Sequence, residues 1–128
     1  MNNITIIPIK NLPEFEPKHD LADEIIKSFS SNNFVLEDKD VIIITQKIVS
    51  KAENRLIKND HKNIEKLIQQ ESLEILRKRG DTVIARTKHG FICANAGIDK
   101  SNIEKGSVLL LPEDPDKTSR DIRNKIKH

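Results

Sequence analysis

Between Thr87 and Asn102 the sequence TKHGFICANAGIDKSN gathers a histidine, the only cysteine, a carboxylate and two of the chain's 4 glycines. Phe91-Ile92-Cys93-Ala94 is a short apolar run with turn signals on both sides and reads as a buried strand. Gly97 permits a positive φ or the close approach of a ligand. Asp99 and Asn102 follow at the rim, where a carboxylate and an amide suit a metal ion or a hydroxyl group. A strand ending in a polar, glycine-bent loop is a common setting for a binding site. A buried strand followed by an ordinary solvated turn describes the same residues, and both readings stand.

A second stretch pairs a buried strand with cationic side chains. Val41-Ile42-Ile43-Ile44 opens into Thr45-Gln46-Lys47-Ile48-Val49-Ser50-Lys51-Ala52-Glu53. Strands that open into hydroxyl- and lysine-rich segments recur as phosphate-binding devices. The alternative is the start of an amphipathic helix with solvated lysines. Residues 46–66 carry Lys47, Lys51, Arg55, Lys58, Lys62 and Lys66 against Glu53, Asp60 and Glu65, a mild local excess. His89 falls in a hairpin turn and reads as a surface histidine. Cys93 lies mid-strand among apolar neighbours and reads as a small core residue, not a nucleophile. Glu113, Asp114 and Asp116, bounded by prolines, fit a helix-leading turn better than a metal cluster.

The elements that must position these groups are legible in outline. Residues 4–7 are a β-branched run ended by Pro8 and read as a strand. Asp20 can cap a helix over residues 21–29, where Leu21, Ile25 and Phe29 recur every four positions. Residues 41–44, β-branched without alternation, predict a central strand buried on both faces. Ile64, Leu67, Ile68, Ile75 and Leu76 form a stripe that predicts a helix over residues 63–79, stopped by Gly80. Residues 83–87 and 91–95 predict a hairpin across Lys88-His89-Gly90, and residues 108–111 a further buried strand. Thr118 or Ser119 caps a short final helix whose only apolar anchors are Ile122 and Ile126, so it needs a surface supplied from elsewhere. The fold class is α+β: a mixed sheet of about five strands flanked by about three helices.

With 128 residues, a single domain over residues 1–128 is expected, burying roughly two-thirds of its unfolded surface. The composition, 36% hydrophobic and 33% charged, excludes a disordered chain and a membrane-embedded one. No signal-peptide pattern opens the sequence, and one cysteine forms no internal disulfide, so a cytoplasmic protein is expected. With 22 basic and 20 acidic residues the net charge is only +2, and aromatic residues make up 3%, all Phe. That balance argues against nucleic-acid partners.

With these segments placed, the chain resembles the N-terminal part of the coenzyme F420-0:L-glutamate ligase family. The resemblance rests on IIPIKNLP, DVIIITQKIVSKAENR, ESLEILR, TKHGFICANAGIDKSN and GSVLLLPEDPDKTSRDIR, in family order over almost the whole chain. It implies a fold of the F420-0:gamma-glutamyl ligase kind, with GTP, F420-0 and L-glutamate as substrates and Mn²⁺ or Mg²⁺ as cofactor. Lys10, Asn11, Leu12 and Pro13 match the first nucleotide-contacting loop, and Gln46 and Lys47 the second. Lys51 matches a nucleotide-phosphate lysine, Asp99 a carboxylate ligand of the divalent metal, and Asn102 a nucleotide contact. The chemistry implied activates a carboxylate as an acyl phosphate, which the amine of glutamate attacks. In phosphoryl transfer the protein mainly positions groups and neutralises charge, which lysines and metal-held carboxylates do.

The resemblance also implies a homodimer or a complementing C-terminal chain, and neither a membrane nor a nucleic-acid partner. The stretch from Ile57 to Leu67 is shorter than the family's helical insertion there. The family pattern continues beyond this sequence into a strand with a metal-holding Asp-Thr pair and a later glycine-containing nucleotide segment. The chain is therefore expected to need that portion for activity. The alternative is a non-catalytic nucleotide-binding or interaction module that keeps part of the fold.

Overall fold

The computed structural model describes residues 3–17, 19–58, 63–100 and 106–127. The architecture is α+β, as expected, with helices α1 (Leu21–Ser31), α2 (Gln46–Ala52), α3 (Ile64–Glu71) and α4 (Pro115–Ile126). Strands β1 (Leu56–Lys58), β2 (Ser72–Arg79), β3 (Thr82–Thr87), β4 (Ile92–Ala94) and β5 (Ser107–Leu109) form two antiparallel sheets, β1-β5 and β2-β3-β4, in place of one mixed sheet. Among the described residues no helix is long and apolar enough to cross a membrane.

Helix α1 begins where Asp20 accepts a hydrogen bond from the Asp23 backbone N–H, at 3.1 Å. Its buried stripe of Leu21, Ile25 and Phe29 joins Phe15, Val49 and Ile122 in the first apolar core. Helix α4 starts earlier than expected. Asp114, not Thr118 or Ser119, is its cap, accepting from Lys117 N at 2.8 Å, with Pro115 at the first helical position. Proline suits that position because its fixed φ is already helical and its missing N–H is not needed there. The surface that Ile122 required is α1, and Lys125 bonds both Asp20 (3.0 Å) and Asp23 (2.8 Å) across the two helices.

The second core joins Ile68, Val83, Ala85, Ala96, Ile98, Val108 and Leu110. Here the expected helix over residues 63–79 is corrected: α3 ends at Glu71 and the chain continues as strand β2. The reason is tertiary. β3 offers β2 a ladder from Ser72↔Thr87 to Arg79↔Thr82 across the Gly80 turn, and that pairing overrides helical periodicity. Ile75 and Leu76 consequently lie exposed on a strand. The hairpin of β3 and β4 matches expectation in its pairing, with Ile84↔Ala94, Ala85↔Cys93 and Arg86↔Ile92 in register, but the strand expected to be buried lies at the sheet edge with Phe91 and Ile92 exposed. Strand β5 also matches, but its partner β1, only three residues long, was not anticipated.

The expected strands over residues 4–7 and 41–44 are likewise corrected. Neither segment forms a ladder among the described residues. Ile42 and Ile44 pack on the first core, whereas Val41 and Ile43 are 83% and 90% exposed. Ile4 and Ile6 are 91% and 89% exposed. A β-branched run becomes a strand only where a neighbouring strand completes its hydrogen bonds, and none of the described residues does so here.

Following β4, Asn95, Ala96 and Gly97 take φ of 51°, 53° and 74°, a left-handed turn. The Asn95 side chain accepts from Val83 N at 3.0 Å and locks the turn onto β3. Isolated left-handed residues other than glycine are strained, and such strain persists where surrounding structure over-determines it. A Cβ on Gly97 would come within 2.7 Å of Leu111 Cδ1 and 2.8 Å of its Cγ. The Leu111 main chain is held by Arg55 Nε, which donates to its carbonyl at 2.9 Å, so relief of that contact falls to the Leu111 side chain.

Two stability changes follow. Gly97→Ala costs about 1–2 kcal/mol from the left-handed backbone alone, measured as a lower denaturant midpoint. Asp20→Ala costs about 1 kcal/mol near neutral pH through loss of the cap. The Asp23 N–H, and then Lys125, hold the Asp20 carboxyl below the usual aspartate range. A depressed folded-state value contributes stability above the unfolded value that is lost as pH falls through the folded one. The difference between wild type and Asp20→Ala therefore shrinks in acid, which thermal melts across a pH series read out.

Candidate functional site

Helix α2 carries the cationic groups. Val49 and Ser50 are buried, which turns Lys47 and Lys51, one helical turn apart, toward a common side. The Gln46 side chain points the other way and donates to Ser50 Oγ (2.7 Å) and to the Leu110 carbonyl (3.3 Å), pinning α2 to the chain leaving β5. Thr45 caps α2 without a side-chain hydrogen bond.

A cleft of about 230 Å³ opens between α2 and the loop before α1, lined by Leu12, Pro13 and Glu14 on one side and Lys47, Ile48 and Lys51 on the other. Lys51 pairs across it with Glu14. Lys47 Nζ lies 3.0 Å from Asp99 Oδ2. The Asp99 backbone is fixed by two hydrogen bonds with Leu109, each 2.9 Å, one in each direction. The left-handed turn at Asn95–Gly97 delivers the chain to that bridge. Two lysines a turn apart, Lys51 facing Glu14 and Lys47 facing Asp99, form a cleft edge where a polyanion can replace the carboxylates.

The structure thus brings together Leu12, Pro13, Lys47, Lys51 and Asp99. Lys10 and Asn11 directly precede Leu12 on the same loop and are not among the residues that line the cleft. The Lys10 carbonyl accepts from Ser28 Oγ and Asn32 Nδ2, both at 2.9 Å, and Asn11 takes a left-handed φ of 62°. Gln46 faces the protein interior. Asn102 lies outside the described residues. Glu14 was not singled out from sequence, and its position directly after Pro13 was the available signal.

Asp99 offers one hard oxygen ligand beside the cleft, and among the described residues no three His, Cys, Asp or Glu side chains converge as a ready metal cage. Magnesium-type sites often use one or two carboxylates and complete their shell with substrate phosphates and water, a pattern that Asp99 fits as a single ligand. Cys93 is half-buried, and burial pushes its thiol pKa up. It belongs to neither apolar core, against the expectation of a small core residue. His89 stacks on Phe91 at 6.0 Å and its Nε2 lies 3.0 Å from the Glu113 carbonyl, bracing the hairpin turn against the start of α4.

A family model described as F420-0:Gamma-glutamyl ligase matches residues 10–128. The Coenzyme F420:L-glutamate ligase of Methanothermobacter thermautotrophicus is 34% identical over 136 residues, covering 93% of this chain and 54% of that protein. The protein of the same name from Methanopyrus kandleri is 33% identical over 141 residues, covering 97% and 54%. That from Methanococcus maripaludis is 38% identical over 109 residues, covering 72% and 44%. The chain spans about half the length of the curated relatives it matches. By the extent of the match and these identities, it belongs to the F420-0:gamma-glutamyl ligase family.

Proposed function

We propose that this chain supplies the nucleotide-phosphate side of a GTP- and divalent-metal-dependent ligase that joins L-glutamate to coenzyme F420-0. Activity then depends on the portion of its relatives that the chain does not span. The observation that carries this reading is the convergence of Lys47 and Lys51 on one cleft, with Asp99 brought to Lys47. In the first step a carboxylate oxygen of F420-0 attacks the γ-phosphorus of GTP, and GDP leaves. The glutamate amine then attacks the acyl carbon of the resulting acyl phosphate, inorganic phosphate departs, and the amine proton passes to solvent.

Lys51 and Lys47 neutralise the phosphates, exchanging Glu14 and Asp99 for phosphate oxygens. Leu12 and Pro13 form the opposite wall. Mn²⁺ or Mg²⁺, held by Asp99 with phosphate oxygens, would supply further charge neutralisation. Assembly as a homodimer and a cytoplasmic location belong to the same reading.

A second reading is a nucleotide-binding module without turnover. It is favoured by the donor set, since among the described residues no three His, Cys, Asp or Glu side chains converge as a ready metal cage.

Calorimetry with GTP, together with a ligation assay after mixing with the C-terminal half of the M. thermautotrophicus relative, separates these. The ligase reading predicts glutamylated F420-0 only from the mixture. Lys51→Ala is expected to weaken GTP binding about tenfold, ~1.4 kcal/mol, with the fold intact because the Glu14 it leaves is exposed. GTP binding without product in the mixture selects the module. Absence of GTP binding, alone and in the mixture, overturns both.

A further inference from the structure

The segments at residues 4–7 and 41–44 have the composition of central strands and the surroundings of neither a strand nor a loop. Val-Ile-Ile-Ile is costly to leave in water, and loops are ordinarily polar. Yet residues 41–44 alternate between half-buried Ile42 and Ile44 and solvent-facing Val41 and Ile43. Among the described residues, no backbone hydrogen bond joins residues 41–44, or residues 4–7, to another segment. Open backbone groups together with an uncovered apolar face are what an incoming strand recognises.

We infer that residues 41–44, with residues 4–7 as a second strip, are a docking surface for β-strand addition. The occupant is the half of the ligase family's chain that this one does not span, whether joined to it or separate. This inference rests on the family reading above and adds the place where the two halves meet. The amount of chain involved argues for that occupant over a second copy. Residues 41–44 need a neighbour along their hydrogen-bonding edge and a cover over Val41 and Ile43, and residues 4–7 need the same. That is several elements, which a single self-paired edge does not supply. The relatives carry nearly half their length beyond the matched portion. The strip also leads directly into Thr45 and α2, so the added strand would end beside Lys47 and Lys51.

The test co-expresses the full 128-residue chain with the C-terminal half of the M. thermautotrophicus relative and follows amide hydrogen exchange. Expected are rapid exchange over residues 41–44 in the chain alone and roughly 100-fold slowing in the complex. Ile43→Lys, at an exposed side chain, is expected to leave the isolated chain's helical signal and melting curve unchanged while abolishing co-purification. Ile6→Lys is expected to weaken it. Failure to form a complex, unchanged exchange at residues 41–44 within one, or retention of the complex by Ile43→Lys overturns the inference. Protection that rises with the concentration of the chain alone also overturns it, in favour of a second copy. Ligation is assayed on the same samples: protection without product leaves this surface standing and removes the ligase reading, and product without protection does the reverse.

Discussion

The contact between Lys47 and Asp99 joins the two parts of the molecule that matter most. Asp99 follows the left-handed turn, next to Ile98 of the second core, and is held to Leu109 by paired backbone hydrogen bonds. Lys47 rides on α2, whose Val49 belongs to the first. A partly exposed ion pair of this kind contributes about 1 kcal/mol or less to stability. Its consequence is positional: it places an anionic oxygen and a cationic nitrogen, one from beside each core, at one cleft edge.

Rigid supports on both sides keep that placement. Gln46 ties α2 to the Leu110 carbonyl, and Arg55 ties the chain after α2 to the Leu111 carbonyl and, at 2.7 Å, to Glu71. Leu110 N in turn donates to the Arg55 carbonyl at 3.1 Å. The segment leaving β5 is therefore stitched to α2 and β1 by main chain and side chain together. The strain at Asn95, Ala96 and Gly97 is held between β3 and Leu111. Glycine at position 97 is required by both its φ and the space above it.

Much of this was legible in the sequence where local chemistry decides the outcome. The cap at Asp20, the hairpin around Gly90 and the special role of Gly97 are consequences of side chains acting within a few residues of themselves. The boundary at Glu71–Ser72 was not, because the apolar stripe runs through it and only the β3 ladder decides that Ser72 onward is a strand. Strand β1 is too short to leave a periodic signal. Residues 41–44 read as a buried strand because their composition is that of one; what composition does not encode is whether the covering elements share the chain. In the site, Lys47, Lys51 and Asp99 were picked from residue type and family resemblance. The opposition of Glu14 to Lys51 and the inward turn of Gln46 depend on how α2 is rotated, which sequence spacing leaves open.

The central claim is that the Asp99 carboxylate and the α2 lysines serve one nucleotide, with the divalent cation shared between Asp99 and the phosphates. The coupling between metal and nucleotide tests it most directly, through GTP titrations with and without Mn²⁺ on wild type and on Asp99→Asn. The account predicts that Mn²⁺ tightens GTP binding about tenfold or more in wild type and that this enhancement disappears in Asp99→Asn. An equal enhancement by Mn²⁺ in both proteins would contradict it.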